Sequence, residues 1–210
     1  MSTIRPLIPL LLTAGILIGG NGLQATFIAL RGVSEGFSAT TIGFISAAYS
    51  LGFAVGCFIV TRILASVGHI RTFAAMAAIA ASLSLFMSMV ISPLAWMFSR
   101  FIIGIAVACL FAVIEGWINA NVTNSNRAQT LSVYRFVDLG SVTLAQYAIP
   151  VFGVQGHIIF TLIGICIAMS IVPISLADKS QPATPKQMKL SFGAVWHISP
   201  IAVVGCVAVG

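Results

Sequence analysis

Charge is what this chain has least of. Of its 210 residues only 7% are Asp, Glu, Lys or Arg, and just 4 of those are acidic. Soluble domains carry roughly a quarter charged residues, and a domain this poor in charge would expose more apolar surface than water tolerates. A cytosolic enzyme, a nucleic-acid binder and a disordered chain are excluded on that ground. Cysteine is also scarce. Cys57, Cys109, Cys166 and Cys206 fall in four different apolar runs, with neither metal-ligand nor disulfide-framework spacing, and are expected to be small buried hydrophobes. His69, His157 and His197 are peripheral to the runs, and neither G-x-S-x-G nor a His-rich metal spacing occurs. No nucleophile–base set, metal site or cofactor is read from the sequence.

What the chain does have is apolar length. Hydrophobic residues make up 59%, and the mean hydropathy is +1.10. Seven apolar runs cover about 6–30, 40–64, 70–91, 94–119, 129–150, 151–176 and 190–210. Each reaches the roughly 20 residues a membrane-spanning helix needs. Strand-like alternation is missing, which argues against a membrane β-barrel. The first run follows Arg5 like a signal peptide, but no A-x-A site follows and the run continues to Leu30, so an uncleaved first span is expected. The domain reading is a six-span bundle over 1–176, a polar linker over 177–189, and the start of a second bundle over 190–210. The sequence stops inside that seventh run, which reads as a chain cut short.

The net charge of +6 speaks to topology. Arg5, Arg62, Arg71, Arg127, Arg135, Lys179, Lys186 and Lys189 fall on one side of the expected spans, and Arg31, beside Glu35, falls alone on the other. Basic residues concentrate on the cytoplasmic side of membrane proteins, so a cytoplasmic N-terminus is expected. Trp96, Trp117, Tyr134 and Tyr147 fall near span ends, where amphipathic aromatics favour the lipid headgroups.

Polar residues inside spans are costly and are candidates for function. Arg100 lies about six residues into the fourth span and Glu115 further along it. Arg100, Gly104, Ala108, Phe111 and Glu115 share an arc of roughly 80°, with the two charges about 22 Å apart along the axis. Arg100 reads either as a substrate, coupling or gating residue, or as a cation snorkelling to headgroups or backbone carbonyls. A cation facing a hydrated cavity would favour an anionic or strongly hydrogen-bonding ligand. Glu115 is a second candidate, with pairing to Arg127 or Arg135 as its structural alternative. Asp138 stands three residues from Arg135, which places an ion pair within reach, and Gln146 shares its face. In the first span Asn21 and Gln24 lie on one face with Thr13 and Gly20. The Gly19-Gly20-Asn21-Gly22 stretch is expected to weaken the helix there. Gly15-x-x-x-Gly19 and Gly52-x-x-x-Gly56 are close-packing signals.

These residues resemble the N-terminal half of the major facilitator superfamily of transporters. Arg62-Ile-Leu-Ala-Ser-Val-Gly68-His-Ile-Arg71 resembles its signature between helices 2 and 3, with Ala65 where the signature has an acidic residue. Arg100-Phe-Ile-Ile-Gly104 resembles the R-x-x-x-G signature of helix 4, which the superfamily associates with coupling. The strings GNGLQATFIALRG, SVGHIRTFAA and IEGWINANVTNSNRAQTLSVY are most similar to a YcaD-type branch. The resemblance implies an all-α integral membrane fold: six helices of a 12-helix protein in the bacterial inner membrane, truncated within the seventh. It also implies nested three-helix repeats and alternating access, with a small-molecule substrate, a proton or other coupling ion, the lipid bilayer and the missing C-terminal half as partners. Gly68, Arg71 and Arg62 would form a gating turn, and Gly52, Gly56 and Gly104 would pack helices. A passive channel is the main alternative reading. A membrane-embedded enzyme lacks a catalytic set, and a seven-helix receptor usually has an outside N-terminus.

Overall fold

The computed structural model describes residues 7–122 and 127–176. Arg5, the 123–126 turn, the linker 177–189 with its three lysines, and the run 190–210 with His197 and Cys206 lie outside the described residues.

Helices α1 (Ile8–Ser34), α2 (Ala39–Val67), α3 (His69–Met89) and α4 (Pro93–Asn121) follow the first four expected spans to within about a turn. Proline opens both α1 and α4, where its missing N–H would be unpaired anyway. Ser38 caps α2 by accepting the Thr41 amide at 3.2 Å. Gly68 divides α2 from α3 at φ +86°, a conformation only glycine adopts without strain. The Gly19–Gly22 stretch does not weaken α1, which is continuous. Its glycines are contact points instead. Gly15, Gly19 and Gly22 lie against Ser141, Val137 and Val142, and Gly20 lies against Cys166.

The second half of the chain departs further from expectation. Helix α5 (Arg127–Gln146) is followed by short α6 (Ala148–Phe152), then α7 (Ile158–Met169) and α8 (Ile171–Leu176). The expected break at 150/151 falls inside α6. The chain turns instead between Gly153 and Gly156, at φ +72° and +76°. The apolar run through this turn hides it from a hydropathy reading. Helices α1 to α4 and the joined segment Ile158–Leu176 are each long and apolar enough to cross a bilayer. Helix α5 has 20 residues but is diluted by Arg127, Arg135 and Asp138.

The most extensive interfaces are α2 with α4, α1 with α5, α3 with α4, α3 with α7, and α1 with α7. Exchanging α1, α2 and α3 for α4, α5 and α7 maps this set onto itself. The α2–α4 seam is the tightest. A Cβ built on Gly52 would overlap the Phe101 carbonyl oxygen, and one on Gly104 would overlap the Tyr49 carbonyl oxygen. One on Gly56 would meet the Ala108 Cβ at 2.6 Å. Small residues let helix backbones approach this closely in a membrane.

The end of the bundle holding the α1–α2, α3–α4 and α6–α7 turns is sealed by aromatics. Trp96 packs edge-on against Phe37 (5.2 Å) and Phe160 (5.8 Å), and Phe160 against Phe27 (4.9 Å). Trp96 and Trp117 are buried and so are not headgroup anchors. The Trp96 indole N–H points inward, to the carbonyls of Met87 and Val90. Tyr147 is exposed, as an anchor would be. Cys57 is exposed rather than buried, while Cys109 is buried and Cys166 half-buried.

Candidate functional site

Two polar groups lie along α4, one near each end of the face that carries Arg100 and Glu115. In the first, Arg100 is 4% exposed and does not snorkel. Its Nη1 donates to the Gln24 Oε1 at 3.1 Å, and its guanidinium carbon sits 4.1 Å from the centre of the Tyr49 ring. Gln24 passes the chain on, its Nε2 donating to Ser84 Oγ at 2.9 Å. Ser84 in turn donates to the Ala80 carbonyl at 2.8 Å. The Tyr49 hydroxyl donates to Asn21 Oδ1 at 3.2 Å. One network therefore joins α1, α2, α3 and α4 around a single cation.

That cation has no acidic partner among the described residues. Glu35, the one carboxylate near the sealed end, pairs with Arg31. Arg31 itself is buried and also donates to the Val154 carbonyl (2.9 Å) and Gln155 Oε1 (3.0 Å), tying α1 to the α6–α7 turn. Arg100 instead relies on a neutral amide and a ring face. A desolvated cation–π contact contributes about 2 kcal/mol, and the Arg100 Nε–H remains without a partner. Gly104 sets this geometry. Its missing side chain lets the Tyr49 backbone close on α4, one turn beyond Arg100.

The second group lines a cavity of about 720 Å³. Ile18 of α1, Phe53 and Cys57 of α2, Phe111, Glu115 and Asn119 of α4, and Tyr134, Arg135 and Asp138 of α5 contribute to its wall. Arg135 binds Asp138 at 3.1 Å, the ion pair read from their spacing. Glu115 makes no ion pair among the described residues, with either Arg135 or Arg127. Gln146 stands apart from this cavity and donates to the Gly22 carbonyl at 3.2 Å, bonding α5 to α1. Gly68 carries the α2–α3 turn, with Arg62 and Arg71 exposed beside it.

Of the residues singled out in the sequence, the fold thus joins Asn21, Gln24 and Arg100 in one network and Glu115 with Asp138 in one cavity. Tyr49, Ser84 and the Arg31 clamp escape a sequence reading, and Tyr134, read as a headgroup aromatic, lines the cavity instead. A Tyr or Ser on an apolar helix is unremarked until the partner, 28 residues away for Tyr49 and 60 for Ser84, is packed beside it.

Among the described residues the protein is all-helical, with five segments long and apolar enough to cross a bilayer, the make-up of a multi-pass membrane protein with a polar network and a cavity inside its bundle. A family model described as Major Facilitator Superfamily matches residues 10–210, and the chain belongs to that family. It is 22% identical over 174 residues to an "Uncharacterized MFS-type transporter" of Yersinia pestis (strain Pestoides F). It is 24% identical over 172 residues to the "Uncharacterized MFS-type transporter YcaD" of Salmonella arizonae. Each match covers 80% of this chain and 45% of the relative, so the chain spans about half the length of the curated relatives it matches.

Proposed function

We propose that the protein is a secondary transporter that moves a small solute across the bacterial inner membrane by alternating access, driven by a proton or another ion. The observation that carries this reading is the cavity bounded by α1, α2, α4 and α5, which stops short of the end sealed by Phe27, Phe37, Trp96 and Phe160. Alternating access calls for a solute site open to one side at a time, and a cavity that ends below this aromatic cluster suits it. Helices α2 and α5 also leave Phe44, Leu51, Phe58, Phe136, Leu139 and Leu144 exposed. These faces support a second six-helix half packing across the cavity, with residues 1–176 as the first half and 177–189 as the link between them. Arg100 with Gln24 and Asn21, and the Gly68 turn with Arg62 and Arg71, are the coupling and gating candidates. Glu115 and Asp138 are candidates for the solute or ion site.

Counterflow separates carrier from channel. Vesicles holding the full reading frame should accumulate labelled solute transiently against preloaded unlabelled solute, while residues 1–210 alone should not, because rocking needs two halves. Loss of counterflow with flux that does not saturate would make the protein a channel. Saturable uptake by 1–210 alone would make it a carrier of paired short chains.

The N-terminus is assigned to the cytoplasm, on the eight-to-one basic bias. Ser66→Cys and Ser180→Cys should resist a membrane-impermeant maleimide in intact cells, and Ile91→Cys should react. Reaction of Ser180→Cys from outside would invert the orientation.

A further inference from the structure

We propose that the cavity between α2, α4 and α5 takes an amphipathic organic monocation, its charged end on the Glu115 carboxylate and its apolar body against Ile18, Phe53 and Phe111. The inference rests on the transport reading and names its substrate class.

The charge balance of the wall decides the sign. Three formal charges line the cavity, Glu115, Arg135 and Asp138. Arg135 and Asp138 cancel at 3.1 Å, which leaves the Glu115 carboxylate as the unmatched charge. Arg100, on the same helix face, by itself would call for an anion, but it does not offset Glu115. It lies 15 residues away along α4, about 22 Å, buried against Gln24 and Tyr49 rather than in this wall. The wall that these helices contribute is therefore negative by one charge, and because Glu115 is exposed to the cavity its carboxylate is open to a cation and repels an anion.

The rest of the wall decides the shape. Phe53 and Phe111 stand 6.4 Å apart, edge to face. With Ile18, Ala108, Ala112, Ile118 and Leu131 they make most of the surface apolar. Aromatic faces attract organic cations as well as apolar groups. A bare metal ion needs several oxygen ligands at once, and beside the Glu115 carboxylate the side chains of this wall offer Asn119, the Tyr134 hydroxyl and an Asp138 carboxylate already paired with Arg135. A volume of about 720 Å³ lies in the range that holds a drug-sized molecule.

Tetraphenylphosphonium and tetraphenylborate are a charge-reversed pair of nearly equal shape, and they test sign separately from bulk. The protein with its full reading frame, in lipid nanodiscs, should bind tetraphenylphosphonium saturably and tetraphenylborate at least tenfold more weakly. Glu115→Gln should weaken the cation at least tenfold and leave the anion unchanged, and Phe111→Ala should weaken the cation with the carboxylate intact. Bound cation should slow alkylation of Cys57, the exposed thiol in the wall, read by mass spectrometry of its peptide. Equal binding of the two ions, cation binding unchanged in Glu115→Gln, or no saturable cation binding by folded protein would each overturn the assignment. So would a Glu115 that only exchanges protons, since it would leave Cys57 unprotected by the cation. Counterflow of a neutral or anionic solute without cation binding would remove the cation and keep the transporter. Cation binding and Cys57 protection without any counterflow would do the reverse.

Discussion

Vesicles carrying Arg100→Ala are expected to show no saturable uptake, with the protein still inserted, monodisperse and close to wild type in thermal stability. The two halves of this expectation come from the same geometry. Removing one member of a buried ion pair is costly because it strands the opposite charge. Arg100 has no such partner: it bonds Gln24 at 3.1 Å and sits on the Tyr49 ring at 4.1 Å. Its loss leaves a neutral amide one hydrogen bond short and relieves a desolvated cation of its burial cost, so the two effects on stability oppose each other. Transport has no such compensation under the proposed mechanism, in which the four helices joined by this cation move together against the rest of the protein. Arg100→Lys keeps the charge but loses the planar group that lies flat on a ring while bonding an amide at its edge. It should retain at most about a tenth of the rate, the effect of roughly 1.4 kcal/mol on a barrier. Tyr49→Phe keeps the ring and loses only the bond to Asn21, so it should fall between wild type and Tyr49→Leu. Near-normal uptake by Arg100→Ala at matched membrane levels would reduce Arg100 to a packing residue.

How much of this could be read from the sequence follows from how local each signal is. Helices α1 to α4 were legible because long apolar runs are broken by residues that break helices, Gly36, Gly68 and Pro93. The α6–α7 turn was not, because Ile149, Val151, Phe152 and Val154 keep the hydropathy high through Gly153 and Gly156. Arg100, Gln24, Glu115 and Asp138 stood out because polar groups at membrane depth are rare. Their partners did not, because pairing across helices depends on rotation and register, which hydropathy does not fix. Trp96 shows the same limit. Its place near a span end suits a headgroup anchor, and only the packing of Phe37 and Phe160 around it turns it into a core residue. The internal repeat is the clearest case. No residue identity links the first three spans to the next three, yet the major interfaces exchange in pairs. Both seams, α2–α4 and α1–α5, are also built on glycine. This pairing is what the repeat implied by the resemblance would leave, since a few small residues can maintain close backbone approach while everything around them diverges.

The α2–α4 seam is where the smallest change should do the most damage. Adding one methyl group at Gly52 places it far inside van der Waals contact distance of the Phe101 carbonyl oxygen, and at Gly104 of the Tyr49 carbonyl oxygen. Neither obstacle is a flexible side chain, so the helices themselves must separate. Overpacking a core costs about 1–3 kcal/mol, occasionally more, and the upper end applies where backbone blocks backbone. Gly52→Val and Gly104→Val are expected to lose the monodisperse protein altogether, and Gly52→Ala and Gly104→Ala to lower the melting temperature measurably. Gly43 and Gly116 are controls on the same two helices, since nothing lies within 4 Å of a Cβ at either. Alanine there should be neutral or stabilising by up to about 1 kcal/mol, the helix-propensity difference between the two residues. The seam also carries the site, because Gly104 touches the backbone of the residue whose ring covers Arg100. Gly104→Ala should therefore reduce uptake more than Gly52→Ala at equal loss of stability. Uptake falling only in proportion to the folded protein that survives would separate the seam from the site and leave these glycines a purely structural role.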